Sequence, residues 1–78
     1  MNRNSTWKQM PLHRVVLEIV FSRPEGISES KLEELIRKEY GVEMSKSQLY
    51  HTLMKLELQG LIQVETVGRE FFIKPVKT

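Results

Sequence analysis

The residues from Ser45 to Gly60 constrain the fold more than any other stretch, because they form a helix with a signal at each end. Ser45 with Gln48 three positions later fits a capping box, in which each side chain satisfies a backbone N–H of the first turn. Gly60 supplies the left-handed residue that ends a helix. At about 100° per residue, this helix has one apolar stripe, made of Leu49, Leu53 and Leu56. The pattern predicts an amphipathic helix packed on a core.

The opposite face of this helix carries few acids and several side chains that can reach base edges or phosphates. Its members are Ser47, Gln48, His51, Met54, Lys55 and Leu58. Two of them, Met54 and Leu58, are apolar, and exposed apolar side chains of this kind indicate a protein contact. The face therefore has a part suited to nucleic acid and a part suited to protein.

A first helix is predicted from Pro11 to Phe21, with Pro11 at its first position. Its core face follows helical spacing and consists of Leu12, Val15, Val16, Ile19 and Val20. Leu17 and Phe21 lie on roughly the opposite side, where either the C-terminal strand or another subunit must cover them. Together with Trp7, they are predicted as a dimer interface.

A second helix follows a loop and one extended apolar residue, Ile27, which is long enough for one or two hydrogen bonds with a sheet. Either Ser28 or Ser30 caps this helix, and the two alternatives stay open. Gly41 ends it. The connection to Ser45 is short and contains a glycine, as a helix-turn-helix requires to cross two helices steeply.

After Gly60 the periodicity changes to that of strands, over residues 61–65 and 70–74. The turn is predicted at residues 66–69. Val67 is a poor fit to a two-residue turn with positive φ at both central positions, so we expect a slightly longer loop with Gly68 left-handed. Pro75 ends the second strand.

The predicted order is helix, short strand, helix, helix, strand, strand, which is an α+β winged helix. Because a two-stranded hairpin is not stable alone, it must lie against the three helices. The chain divides into an N-terminal arm over residues 1–10, a domain over residues 11–75 and a tail over residues 76–78.

Composition and the absence of certain motifs argue against several classes of protein. The chain has 78 residues, no cysteine and a formal net charge of +2, so no disulfide framework or thiolate metal site is expected. There is no apolar stretch long enough for a bilayer and no signal-peptide core, which predicts a cytoplasmic protein. No paired carboxylates, nucleophile–base pair or Gly-rich phosphate loop is present. We therefore expect no enzyme, cofactor or metal ion.

The spacing of Ser45, Leu49, Leu53 and Leu56, followed by Gly60-Leu61-Ile62, resembles the recognition helix and first wing strand of winged-helix transcriptional regulators. The run Leu49-Tyr50-His51-Thr52-Leu53 is similar to that of PadR-like regulators and of the DNA-binding domain of ferric-uptake (Fur) regulators. The resemblance implies that the helix over residues 46–59 enters the DNA major groove. The hairpin over residues 62–73 then touches the backbone or minor groove.

By position, the resemblance implies base or phosphate contacts for four residues of the helix, a backbone contact for Lys55 and a wing-tip contact for Arg69. The four are Ser47, Gln48, Tyr50 and His51. Lys46 and Lys74 add predicted phosphate contacts. Alternatives remain for several of these residues. Gln48 either reads adenine or completes the helix cap, since one side chain cannot do both. Tyr50 either reaches DNA or packs its ring on the wing, and Lys46 is either a phosphate contact or a solvated lysine.

The leading hypothesis is a homodimeric regulator of transcription that binds double-stranded DNA. The alternative is a winged helix used as a protein-interaction module without direct DNA binding, because the fold alone does not decide the function. The small net charge, the acids near the hairpin tip and the exposed Met54 and Leu58 favour that alternative.

Overall fold

In the computed structural model, which describes residues 10–77, three helices and a three-stranded antiparallel sheet form. The chain passes in order through α1 (Leu12–Phe21), β1 (Ile27–Ser28), α2 (Glu29–Tyr40), α3 (Lys46–Leu58), β2 (Ile62–Val67) and β3 (Glu70–Pro75). The predicted α+β class is confirmed. The extended residue Ile27 does form a strand, as its sequence context indicated.

The sheet has the order β1-β3-β2, so the last strand of the chain is central. Ile27 of β1 pairs with Ile73 of β3, and the β2–β3 hairpin pairs continuously up to Val67 opposite Glu70. The loop at its tip therefore has two residues, and the prediction of a longer loop is wrong. The reason is that Gly68, with φ of 63°, occupies the first central position of the turn, and Val67 remains in the strand.

The helix ends follow the sequence signals with one difference. The capping box of α3 is present, and of the two candidates for α2 the structure has Ser28, whose hydroxyl accepts from the Lys31 backbone N–H at 3.3 Å. Pro11 lies one position earlier than predicted, as the N-cap of α1, because its ψ of 147° is extended. A left-handed glycine follows each of the other two helices, at Gly41 and Gly60.

One core joins all six elements. Its buried apolar side chains are Val15, Val16, Ile19, Val20, Ile27, Leu32, Leu35, Ile36, Leu49, Leu53, Leu56, Ile62 and Ile73. Leu17 and Phe21, the apolar pair on the other side of α1, differ in burial. Leu17 is partly buried against this core, whereas Phe21 is 51% exposed. Trp7, the third residue of the predicted dimer interface, lies outside the described residues.

The helices are short. They contain 10, 12 and 13 residues, whereas a bilayer crossing takes about 20 apolar residues. Within residues 10–77, no helix has the length and the apolar character needed to cross a membrane.

Candidate functional site on the third helix

The outward face of α3 is exposed along the whole helix. Leu49, Leu53 and Leu56 are buried, and the side chains about half a turn away from them face solvent. These exposed residues are Ser47, His51, Met54, Lys55 and Leu58. Met54 is 58% exposed and Leu58 81% exposed. The helix thus presents a continuous strip to a partner, flanked on one side by the hairpin and on the other by α1.

On the hairpin side, α3 is tied to the rest of the fold by a buried glutamate. Glu29, the first residue of α2, is 5% exposed. Its carboxylate accepts from the Tyr50 hydroxyl at 2.7 Å and from Lys46 Nζ at 3.2 Å, both on α3. It also accepts from the backbone N–H of Phe71 in β3 at 3.0 Å. One side chain therefore joins α2, α3 and the hairpin.

Lys46 lies between two carboxylates of α2. Its Nζ is 2.9 Å from Glu33 Oε2 and 3.2 Å from Glu29 Oε2. Glu33 and Glu29 raise the pKa of Lys46 well above its usual value, because both stabilise the ammonium form. The charge of this lysine is offset by the two carboxylates, although its side chain is 62% exposed. The structure therefore supports neither a free phosphate contact nor a simply solvated lysine at this position.

Tyr50 is held at both ends. Its ring packs edge-on against Phe71, with centroids 5.4 Å apart and planes at 72°, and its hydroxyl donates to Glu29. The hydrogen bond to Glu29 raises the pKa of Tyr50. The predicted alternative in which the ring packs on the hairpin is the one observed. The hydroxyl is not left to solvent, because it donates to the carboxylate of Glu29.

The ionisation of Glu29 follows from these contacts. Burial raises the pKa of this carboxyl, but hydrogen bonds from Tyr50, the Phe71 N–H and Lys46, together with the charge of Lys46, outweigh burial. The net pKa is lowered, so the carboxylate is ionised at neutral pH. We call Glu29, Glu33, Lys46, Tyr50 and Phe71 the Glu29 cluster.

Gln48 takes part in the helix cap. Its side-chain Oε1 accepts from the Ser45 backbone N–H at 2.8 Å, and its backbone N–H donates to Ser45 Oγ at 3.0 Å. A bidentate contact with adenine needs both the carbonyl oxygen and the amide nitrogen of one side chain. Since the oxygen is engaged, the cap is the alternative that the structure supports.

On the α1 side, α3 is open. His51 and Lys55 are exposed, and among residues 10–77 no carboxylate lies within 4.0 Å of Lys55 Nζ. Both line a cleft of about 240 Å³ between the start of α1 and the middle of α3. The other lining residues are Leu12, His13, Thr52, Leu56 and Gln59. His13 was not predicted as a site residue, because only the packing of α1 on α3 brings the two histidines to one cleft.

The hairpin carries two of the predicted DNA-contact residues, and only one of them is paired with a carboxylate of residues 10–77. Arg69 is exposed at the tip, and its neighbour Glu70 turns away to accept from the Ser30 backbone N–H at 3.1 Å. Lys74 Nζ, in contrast, lies 3.6 Å from Glu65, which offsets its charge. Arg69 therefore keeps its predicted place as a protruding cation, whereas Lys74 is an ion-pair partner in β3.

A largely apolar groove of about 390 Å³ lies between α3 and the hairpin. It is lined by Tyr50, Leu53, Met54, Glu57, Val64 and Phe71. Glu57 spans its edge by accepting from the Val64 N–H at 3.3 Å. This groove adjoins the apolar part of the outward face at Met54, on the opposite side of α3 from the cleft that Lys55 lines.

Besides His13, the sequence did not indicate Glu29 and Glu33 as site residues, because acids on a helix are usually exposed. A usable signal was present: with Ser28 as the cap, Glu29 becomes the first helical residue and lies directly after the strand β1. No group of three or more potential metal ligands occurs in the described part of the chain. No family model, no curated protein and no solved structure matches this chain.

Proposed function

We propose that this protein is a winged-helix regulator of transcription that binds double-stranded DNA with α3 in the major groove and the β2–β3 hairpin as its wing. The observation that carries the proposal is the outward face of α3, a capped helix exposed along its length beside a protruding hairpin. An α-helix fits the major groove of B-DNA, and its exposed polar side chains then reach base edges and phosphates.

The contacts that we propose differ from those expected from sequence. Ser47 and His51 lie at the centre of the exposed face; Ser47 takes the base-reading role, and His51 faces the cleft beside α1, where it reaches the backbone. Lys55 and Arg69 bind phosphates on either side, because both are exposed and neither has a carboxylate within 4.0 Å among residues 10–77. Lys46 and Tyr50 are assigned to positioning α3 against the wing, since both bind Glu29.

The first test is a titration of random-sequence duplex DNA at about 50 mM salt, where phosphate contacts are strongest. We expect micromolar or tighter binding. The double variant K55A/R69A should weaken binding to every sequence and flatten the slope of log K against log salt by about 2, since each phosphate contact contributes about 0.9.

A matched control exists on α2. The double variant K31A/K38A also removes two positive charges, but both lysines pair with Glu34 on the surface of another helix. We expect its salt slope to equal that of the wild type. If wild-type protein does not bind duplex DNA at about 50 mM salt, the proposed function is wrong.

We also propose that the regulator acts as a homodimer in the cytoplasm, with α1 in the interface. Phe21 is half exposed, and with Leu17 it lines a shallow groove of α1. A dimer would place two α3 helices on half-sites about one helical turn of DNA apart. Sedimentation equilibrium tests this proposal: F21E should shift the protein to monomer, and a wild-type protein that is monomeric at all concentrations contradicts it.

A second candidate function, a protein-interaction module, is favoured by one specific observation. The groove between α3 and the hairpin is lined largely by apolar side chains, and Met54 and Leu58 beside it are strongly exposed. Exposed apolar surface of this kind marks interaction sites. The DNA titration separates the two functions, because an absence of binding at low salt leaves only the protein surface.

A further inference from the structure

The cleft between α1 and α3 brings together three side chains that carry or acquire positive charge. His13 comes from the first turn of α1, and His51 and Lys55 come from successive turns of α3. The floor of the cleft is apolar, with Leu12 and Leu56. None of the residues that line it, all within the described part of the chain, is a carboxylate.

We propose that this cleft binds a phosphodiester group of duplex DNA, with His13 as a contact from outside the recognition helix, and that binding strengthens when the two imidazoles are protonated. The inference rests on the proposed function and adds to it a second helix, a ligand group and a dependence on pH. Lys55 supplies a permanent charge, and imidazole is the side chain whose charge ordinarily changes near neutral pH.

The surroundings favour an anion over a cation or a neutral ligand. The N-terminal end of α1, whose dipole is positive there, borders the cleft. The Thr52 hydroxyl donates to the Gln48 carbonyl at 2.9 Å, so the donors that remain for a ligand are the ring and ammonium N–H groups and the side-chain amide of Gln59. Because phosphate oxygens are acceptors only, such a set of donors matches them.

The charged groups on the other side of His13 do not cancel this effect. His13 also borders a groove with Arg14 and Glu18. Glu18 is already engaged, because it lies 3.9 Å from Arg14 Nε and accepts from the Tyr40 hydroxyl at 3.1 Å. Glu18 therefore has two partners of its own, Arg14 and Tyr40.

The experiment measures the affinity of wild type, H13Q, H51Q and H13K for one duplex at about pH 6 and about pH 8, at constant salt. We expect wild type to bind about tenfold more tightly at the lower pH, and H13Q to retain only about a threefold effect. H51Q should lose the other part of the effect, since the chain has two histidines. H13K should bind at pH 8 about threefold more tightly than the wild type does at that pH, because it supplies a permanent charge at one of the two positions.

Two results would overturn the inference while leaving the proposed function intact. One is a wild-type protein whose full pH effect survives in H13Q, and the other is an H13K protein that binds no more tightly than wild type at pH 8. Wild-type protein that binds no DNA at either pH overturns both proposals together. His13 is exposed, so its variants should fold, and their circular dichroism spectra check this.

Discussion

Lys46 and Lys55 lie on the same helix, about two and a half turns apart, yet the fold treats them differently. Lys46 Nζ contacts Glu29 and Glu33, and its charge is balanced within the protein. Lys55 points to the open cleft beside α1, and no carboxylate among residues 10–77 reaches it. The hairpin flank of α3 is thus a structural contact, and the α1 flank is available to a ligand.

The difference shows that position on a helix does not by itself assign a lysine to a ligand. Both residues lie outside the leucine stripe, and both were predicted to bind phosphate. What separates them is the neighbouring element: α2 presents its buried acid to Lys46, whereas α1 presents His13 to the cleft of Lys55. Three variants of the Glu29 cluster and one comparison of the two lysines test this division.

The largest effect is expected for Glu29→Ala. This change leaves the Phe71 N–H and the Tyr50 hydroxyl without their buried acceptor and should lower the free energy of unfolding by about 2 to 4 kcal/mol. Urea denaturation measures it. Glu34→Ala on the same helix is the matched control, because Glu34 also pairs with lysines but on the surface, and its effect on stability should be close to zero. An equal loss of unfolding free energy in the two variants would contradict the structural role assigned to the buried Glu29.

A smaller effect is expected on acidification, because protonation weakens the contacts of Glu29 without removing its atoms. Its pKa in the folded state is lower than its ordinary value of 4.5, so the folded state binds fewer protons than the unfolded state. The stabilisation is complete above about pH 5.5 and is lost as the pH falls through the folded-state pKa. In Glu29→Gln, the unfolding free energy should vary less between about pH 6 and pH 3. If the fall in unfolding free energy at acidic pH were the same in Glu29→Gln as in the wild type, other carboxylates would be its cause.

The smallest stability effect is expected for Tyr50→Phe, which removes one of the three donors to Glu29 and keeps the ring on Phe71. The free energy of unfolding should fall by less than in Glu29→Ala, because only one hydrogen bond to the carboxylate is lost. The affinity for DNA should change little at a temperature where both proteins are folded. A large loss of affinity with unchanged stability would instead assign the hydroxyl to DNA.

Local signals in the sequence predicted the local features of the fold. The capping box at Ser45 and Gln48 and the left-handed Gly60 are present, because each depends on residues close together in the chain. The strand at Ile27 is also present, although it forms by pairing with the distant Ile73. The hairpin turn was predicted at residues 66–69, whereas the loop contains only residues 68 and 69 and β2 extends to Val67. Only the pairing of Val67 with Glu70, which depends on how both strands lie in the sheet, places Gly68 first in the turn.

The candidate site was less predictable, since its decisive contacts join distant parts of the chain. Glu29 meets Lys46, Tyr50 and Phe71 only after α2, α3 and β3 have packed together. Helical spacing alone cannot show that a lysine on α3 has a buried acid in front of it. For the same reason it could not bring His13 to His51, which lie on different helices.

The most direct test of the central claim compares the salt dependence of DNA binding for Lys55→Ala and Lys46→Ala, which change the net charge equally. We predict that Lys55→Ala flattens the slope of log K against log salt by about 0.9, the contribution of one phosphate contact, and that Lys46→Ala leaves the slope unchanged. A slope reduced by Lys46→Ala as much as by Lys55→Ala, or by Lys46→Ala alone, would contradict the division of α3 into a structural flank and a DNA-binding flank.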